Sequence, residues 1–163
     1  MNKQTAKAIG GAALVIALLV TIAQIGVSAP ASADGDRTLV GSWNLLVTLR
    51  DCQSGLPIVS FPAMQTFNQG GTQQQTAPPA PGATFLPGHG VWSHQAGGGY
   101  SGAFQFFSIT PVGFVDTKTI VRSTISLEPD GKSYSSTETS ETFDTNGNSL
   151  LRACSTSTAI RFE

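Results

Sequence analysis

Apolar and polar residues alternate along most of the chain after residue 33, and this period of two restricts the fold more than any other feature. Successive side chains of a β-strand point to opposite faces, so alternation predicts strands with one face buried and the other in water. Between residues 39 and 49 the odd positions are mostly apolar, whereas Ser42, Asn44 and Thr48 occupy even positions. Residues 115–127 repeat the pattern. Since no run shows the 3.6-residue period of an amphipathic helix, the sequence predicts an all-β fold.

Turn residues separate the alternating runs and predict that consecutive strands are antiparallel. Pro129-Asp130-Gly131 and Asn146-Gly147-Asn148 are both tight hairpin signals. The meander stays an open sandwich or closes into a barrel of roughly eight strands, and the cysteines discussed below favour the barrel. The predicted strands are 38–50, 58–69, 88–95, 99–109, 113–127, 132–144 and 149–162, with a further short strand near 72–76.

Residues 1–33 carry the pattern of a cleaved export signal. Two lysines precede an apolar run over residues 12–22, which is shorter than the ~20 residues needed to span a bilayer. Ala31-Ser32-Ala33 fits a small-x-small cleavage site. We therefore expect residues 34–163 to form a single domain that is secreted or periplasmic and has no membrane attachment after cleavage. Retention of residues 1–33 as a membrane anchor is the alternative.

The charge of the chain is low and balanced, with 9 Lys and Arg against 10 Asp and Glu among 163 residues. A nucleic-acid-binding protein needs a cluster of Lys and Arg to displace counterions from phosphates. These basic residues are scattered along the chain. We therefore expect no nucleic-acid partner.

The chain holds 2 cysteines, Cys52 and Cys154. Export places them in an oxidising compartment, where we expect a disulfide rather than two buried thiols. Cys52 follows the first predicted strand and Cys154 lies in the last, so a bridge favours a closed barrel in which these strands are neighbours. A register that aligns the two cysteines puts Leu45 opposite Arg161 and makes Arg161 diagonal to Trp43.

Gly41-Ser42-Trp43 resembles the Gly-x-Trp element in the first strand of lipocalins and their wider calycin relatives, and Arg161 is similar to the final-strand Arg that stacks over that Trp. The resemblance implies structural roles for Trp43 and Arg161 in a ligand-holding barrel. Signals for the helices that flank lipocalin barrels are missing. In size and shape the chain is also similar to allene oxide cyclase and dirigent barrels, which bind an apolar substrate. Residues 87–94 and 104–107 are similar to predicted secreted bacterial proteins of unassigned activity.

Aromatic residues supply the candidate binding site. Tyr100, Phe104 and Phe106 share one face of a predicted strand, and Trp92 lies on the strand before it. We expect these four side chains either to line an apolar pocket inside the barrel, with His89 as the polar contact, or to form its core.

The Gly- and Pro-rich segment 70–87 is expected to be largely irregular. The strand that follows it is apolar on both faces, so its outer face needs a cover. We expect this segment to supply that cover or to act as a lid at the barrel mouth; a second subunit in a homo-oligomer is the alternative.

Catalytic and metal-binding motifs are missing from the sequence. His89 and His94 stand five residues apart on one predicted strand and point to opposite faces, so we expect no metal site and no cofactor. Glu138 and Glu141 also have opposite parity, and we expect both on the solvated surface. The sequence favours binding of a small apolar molecule. The alternatives are a cofactor-free cyclase or isomerase, in which one polar residue moves a proton, and a structural or interaction module filled by its own side chains.

Overall fold

The computed structural model describes residues 38–79 and 83–163, and the predicted export signal lies outside them. In this part of the chain no helix is long and apolar enough to cross a bilayer. The described residues form strands joined by turns. These strands are β1 Gly41–Arg50, β2 Pro57–Phe67, β3 Thr72–Thr76, β4 Thr84–Phe85, β5 Gly88–His94, β6 Tyr100–Ile109, β7 Val115–Leu127, β8 Ser133–Phe143 and β9 Ser149–Arg161.

Eight of these strands form a closed ring in the order β1, β2, β3, β5, β6, β7, β8, β9, with β9 paired back to β1. Every neighbouring pair is antiparallel. The ninth strand, β4, pairs with the last residues of β6. The predicted all-β meander closed into an eight-stranded barrel is confirmed, and it is consistent with a lipocalin-like fold in general.

The alternation in the sequence corresponds to the two faces of the barrel wall. On β1, Trp43, Leu45 and Val47 are buried, whereas Asn44 and Leu46 between them are exposed. The same division holds on β7, where the odd positions face inward and the charged even positions face water. The period of two thus determines which side chains can reach the interior.

The turn at 144–148 forms where its residues predicted a hairpin. The Asp144 carboxylate accepts hydrogen bonds from the backbone N–H groups of Asn146 and Asn148 and from the Asn148 side chain, at 2.8 to 2.9 Å. These bonds, with the Asn148 side chain first, hold the pKa of Asp144 below its ordinary value. Gly147 adopts a positive φ of 88°, which favours glycine.

The register between β1 and β9 differs from the predicted one by two residues along β9. Trp43 pairs directly with Arg161, and Arg50 pairs with Cys154. The predicted diagonal relation was wrong because it extended the strand register beyond Arg50 to Cys52. The strand ends at Arg50, and Cys52 lies in the following turn. From there Cys52 forms the predicted disulfide with Cys154, with 5.3 Å between their Cα atoms.

The predicted short strand near 72–76 is present, and the rest of segment 70–87 contains one strand that was not predicted. Thr72–Thr76 is a barrel strand between β2 and β5, and Thr84–Phe85 pairs with β6. The backbone N–H of Leu86 also donates to the carbonyl of Phe107. Residues 83–87 therefore extend the edge of β6 rather than lie over its outer face.

We predict that the Cys52→Ser/Cys154→Ser double variant unfolds at a lower urea concentration than the parent protein. The two cysteines are 102 residues apart, and a cross-link over a loop of that length restricts the unfolded chain by about 4–5 kcal/mol in the chain-entropy model. Equilibrium unfolding followed by far-UV circular dichroism measures the difference. An unchanged midpoint in the double variant would contradict the predicted contribution of the bridge.

Candidate functional site

One end of the barrel is filled by an aromatic layer, which consists of Trp43, Phe67, Trp92, Tyr100 and Tyr134. The Tyr134 ring lies edge-on to Trp43, with 4.9 Å between centroids, and packs against Phe67 at 6.0 Å. Phe67 in turn contacts Trp92 at 5.8 Å, and Trp92 contacts Tyr100 at 5.7 Å. Leu39 packs in the same cluster and is fully buried. This end is therefore closed by protein side chains.

Arg161 connects the aromatic layer to the chain that precedes β1. Its guanidinium lies 4.2 Å from the centroid of the Trp43 ring, close enough for a cation–π interaction. The same group donates to the carbonyl oxygens of Thr38 at 2.6 Å, Val40 at 2.8 Å and Gly131 at 3.0 Å. The positive charge of Arg161 is thus fully engaged at the closed end.

A chain of buried hydrogen bonds lies beneath the aromatic layer. The Tyr134 hydroxyl donates to Gln65 Oε1 at 2.7 Å, Gln65 Nε2 donates to Gln73 Oε1 at 2.8 Å, and Gln73 Nε2 donates to the carbonyl of Val91 at 2.9 Å. Burial is the main cause that raises the pKa of Tyr134, and the negative charge of Glu138 raises it further. The hydroxyl therefore stays protonated and acts as the donor at the head of this chain.

Glu138 points into the barrel, which corrects our expectation of a solvated surface residue. Its Oε1 accepts from Ser136 Oγ and Ser157 Oγ, each at 2.8 Å, and its Oε2 accepts from Ser155 Oγ at 2.6 Å. Ser157 is 1% exposed, and Glu138 itself is only partly exposed. Three inward hydroxyl groups therefore hold a carboxylate in one orientation inside the barrel.

Beyond Glu138 several inward-facing side chains of β8 and β9 are small, and solvent reaches them. Two residues after Glu138 on β8, a row of paired residues crosses β6, β7, β8 and β9. In this row Phe104 pairs with Val121, Val121 with Ser140, and Ser140 with Ala153. Ser140, Ala153 and Ser155 are partly exposed although their parity points them inward. We call this half of the interior the Glu138 chamber, and its wall residues are Phe104, Phe106, Glu138, Ser140, Ala153 and Ser155.

The chamber opens at the end of the barrel opposite the aromatic layer. Two inward-facing residues near this mouth, Val59 and Leu151, are 51% and 60% exposed. The loops and strand ends around the mouth also carry exposed apolar side chains. These include Leu56, Ile58, Leu86, Val112, Phe114 and Leu150. All of these residues lie at one end of the barrel, and exposed apolar surface gathered in one region is typical of binding sites.

The structure divides the predicted aromatic group between the two ends of the barrel. Trp92 and Tyr100 belong to the aromatic layer, while Phe104 and Phe106 face the chamber with 6.4 Å between their ring centroids. Phe85 of β4 packs edge-on against Phe106 at 5.4 Å. The shared face predicted for the β6 aromatics is present; Phe104 on it is buried, and Tyr100 and Phe106 on either side are partly exposed.

The structure does not bring His89 to these aromatic side chains. His89 pairs with Gln105, and both lie exposed on the outer face of the barrel. His94 has the inward parity, and its ring lies edge-on to Tyr100 at 5.1 Å. Among residues 38–79 and 83–163, no three His, Cys, Asp or Glu side chains lie close enough together to hold a metal ion.

The parity of β8 could have identified Glu138 as an inward residue. Tyr134, Ser136 and Glu138 occupy alternate positions of one strand, and Tyr134 and Ser136 are buried. Because β8 is rich in Ser and Thr on both faces, hydrophobicity alone does not show which face is inside. The position of Tyr134, the one Tyr of β8, was the available indication of which face is inside.

Neither a scan against models of known protein families nor a search of curated proteins finds a match for this chain. Its function must therefore be inferred from the geometry of the barrel interior.

We predict that Tyr134→Phe destabilises the protein by about 1–3 kcal/mol, because it leaves the buried Gln65 Oε1 without its donor. Thr137→Ala is the matched control: it lies on the same strand, faces solvent, and should change stability by less than about 0.5 kcal/mol. Urea unfolding of both variants measures the difference. Equal stability of the two variants would show that the buried hydrogen-bond chain contributes nothing.

Proposed function

We propose that the protein binds a small, largely apolar molecule in the Glu138 chamber. The observation that carries this proposal is the contrast between the two halves of the interior. The aromatic layer is packed by its own side chains, whereas Ser140, Ala153 and Ser155 face inward and remain partly exposed. A barrel that only needed a filled core would have larger apolar residues at these three positions.

The walls of the chamber suit a ligand whose body is apolar. Phe104 on β6 lies directly opposite Val121 on β7, and each is 8% exposed. Phe106 and Phe61 are partly exposed on the inner face. Ligand sites in proteins combine such apolar walls with a few fixed polar groups, and Glu138 with its serines provides one here. The exposed apolar side chains at the mouth would allow the same kind of molecule to enter.

We infer that the binding takes place outside the cytoplasm, in the manner of a lipocalin-like carrier. The Cys52–Cys154 disulfide is compatible with an oxidising, exported environment. The amino-terminal export pattern supports the same compartment.

Glu138 also favours a second candidate function, a cofactor-free isomerase or cyclase. A carboxylate beside an apolar chamber can accept a proton from a bound substrate and return it at another position. Such a reaction exchanges substrate hydrogen with solvent. Incubation of a bound ligand in D₂O, followed by mass spectrometry, would therefore show deuterium incorporation with the parent protein and none with Glu138→Gln. Absence of exchange with both would exclude this reaction for that ligand.

We predict that the parent protein binds N-phenyl-1-naphthylamine, an aromatic probe that is uncharged at neutral pH and fluoresces strongly in apolar surroundings. Ala153→Trp should weaken this binding at least about tenfold, because an indole at that position occupies the chamber. Thr124→Trp adds the same side chain to the outer face of β7 and should leave binding unchanged. Fluorescence titration measures all three proteins.

Two outcomes would contradict the proposal. Equal loss or equal retention of binding in the two tryptophan variants would show that the probe binds elsewhere. A parent protein that binds no probe at all would favour the filled module.

A further inference from the structure

Glu138 is the one charged side chain that faces the Glu138 chamber from the described strands. Arg161, the other inward-facing charge in residues 38–79 and 83–163, lies at the opposite end and donates to three carbonyl oxygens. The ion pair in this part of the chain joins Glu141 to Arg152 on the outer face. The Glu138 carboxylate thus has hydroxyl partners and no cationic partner among these residues.

The hydrogen bonds of Glu138 leave room for one more donor. A carboxylate has about four acceptor positions, two on each oxygen. Oε1 accepts from Ser136 and Ser157, and Oε2 accepts from Ser155 alone. Ser136 and Ser157 pair with each other in the row nearer the aromatic layer, whereas Ser155 pairs with Glu138 itself. The remaining position is therefore on Oε2, the oxygen on the side of the chamber.

A second inward-facing group also lacks a donor. The Oε1 atom of Gln75 on β3 is buried and accepts no hydrogen bond from the described residues. Gln75 has the same parity as the buried Gln73, so it faces the interior from the wall opposite β8. Glu138 Oε2 and Gln75 Oε1 are both acceptors. A ligand that supplies donors fits this interior, whereas a ligand whose polar end is a carboxylate or an ester brings only more acceptors.

The negative charge of Glu138 further restricts the chemical class of the ligand. Glu138 is only partly exposed to water, and a positive charge stabilises a partly buried carboxylate more than hydroxyl dipoles do. A protonated amine supplies both the missing positive charge and the missing donor, and charge-assisted hydrogen bonds are stronger than neutral ones. The neighbouring row offers Phe104 and Val121 for an apolar body.

We propose that the ligand of the Glu138 chamber is an apolar amine, whose ammonium group binds Glu138 Oε2 and whose hydrocarbon or aromatic body packs against Phe104 and Phe106. This inference rests on the proposed binding function and specifies its ligand class.

The test compares three probes that share a ten-carbon chain: decylamine, 1-decanol and decanoic acid. Each is titrated calorimetrically at pH 7.5, where the amine is protonated and the acid is ionised. The two ionic probes are kept below their critical micelle concentrations and the alcohol below its solubility limit. We expect decylamine to bind about tenfold more tightly than decanol, and decanoate to bind most weakly. Glu138→Gln should bring the amine and the alcohol to equal affinity.

Glu141→Gln is the matched control, because Glu141 lies on the same strand but faces outward toward Arg152 and Ser149. It should keep the full preference for the amine. Ser155→Ala removes one hydroxyl donor from Oε2 and keeps the carboxylate, so its preference for the amine should be at least as large as that of the parent. This variant tests the role of the carboxylate even if Glu138→Gln fails to fold.

The possible results of these titrations distinguish a wrong ligand class from an absence of apolar binding. Equal binding of amine and alcohol to the parent, a preference for decanoate, or an amine preference that survives in Glu138→Gln would overturn the amine inference and leave apolar binding in place. Failure of all three probes to bind would instead count against the proposed function itself.

Discussion

The pairing of β1 with β9 is the contact on which the rest of the structure depends. Without it the sheet would have two open edges, and the inward faces of both strands would lose their enclosure. Different interactions stabilise the two ends of this β1–β9 seam. At one end Arg161 lies across Trp43 and donates to the chain before β1; at the other the disulfide joins the turn after β1 to β9. Gly41, with a φ of 137°, is required here because a side chain would collide with the Arg161 guanidinium.

Closure at the seam also explains why the interior has two unlike halves. The Arg161 end brings Trp43, Phe67 and Tyr134 into one packed layer, so no space remains there. Toward the disulfide end the inward positions Ser140, Ala153 and Ser155 carry small side chains, which cannot fill the same width. A carboxylate at the boundary, on Glu138, is thus accessible from one side only. The same closure that stabilises the fold therefore creates the chamber in which we place the ligand.

Much of the fold could be predicted from the sequence because its main determinants are local. Alternation located the faces of β1 and β7, and turn residues located the hairpins. The register of the seam was predicted two residues away from the observed one, because the pairing was extended to Cys52, which lies in the turn after β1. Glu138 was assigned to the surface because β8 carries Ser and Thr on both faces. His89 was assigned to the pocket from its nearness in sequence to Trp92, although an odd separation puts the two on opposite faces.

A crystal structure of the protein purified from its natural host without exposure to detergents would show directly whether the Glu138 chamber holds a ligand. We predict continuous electron density between Phe104 and Glu138 that is too long for ordered water, with one polar end at Glu138 Oε2. A chamber that is closed by the side chains of Phe104 and Phe106, or that contains only ordered water in protein shown by native mass spectrometry to carry no ligand, would contradict this prediction.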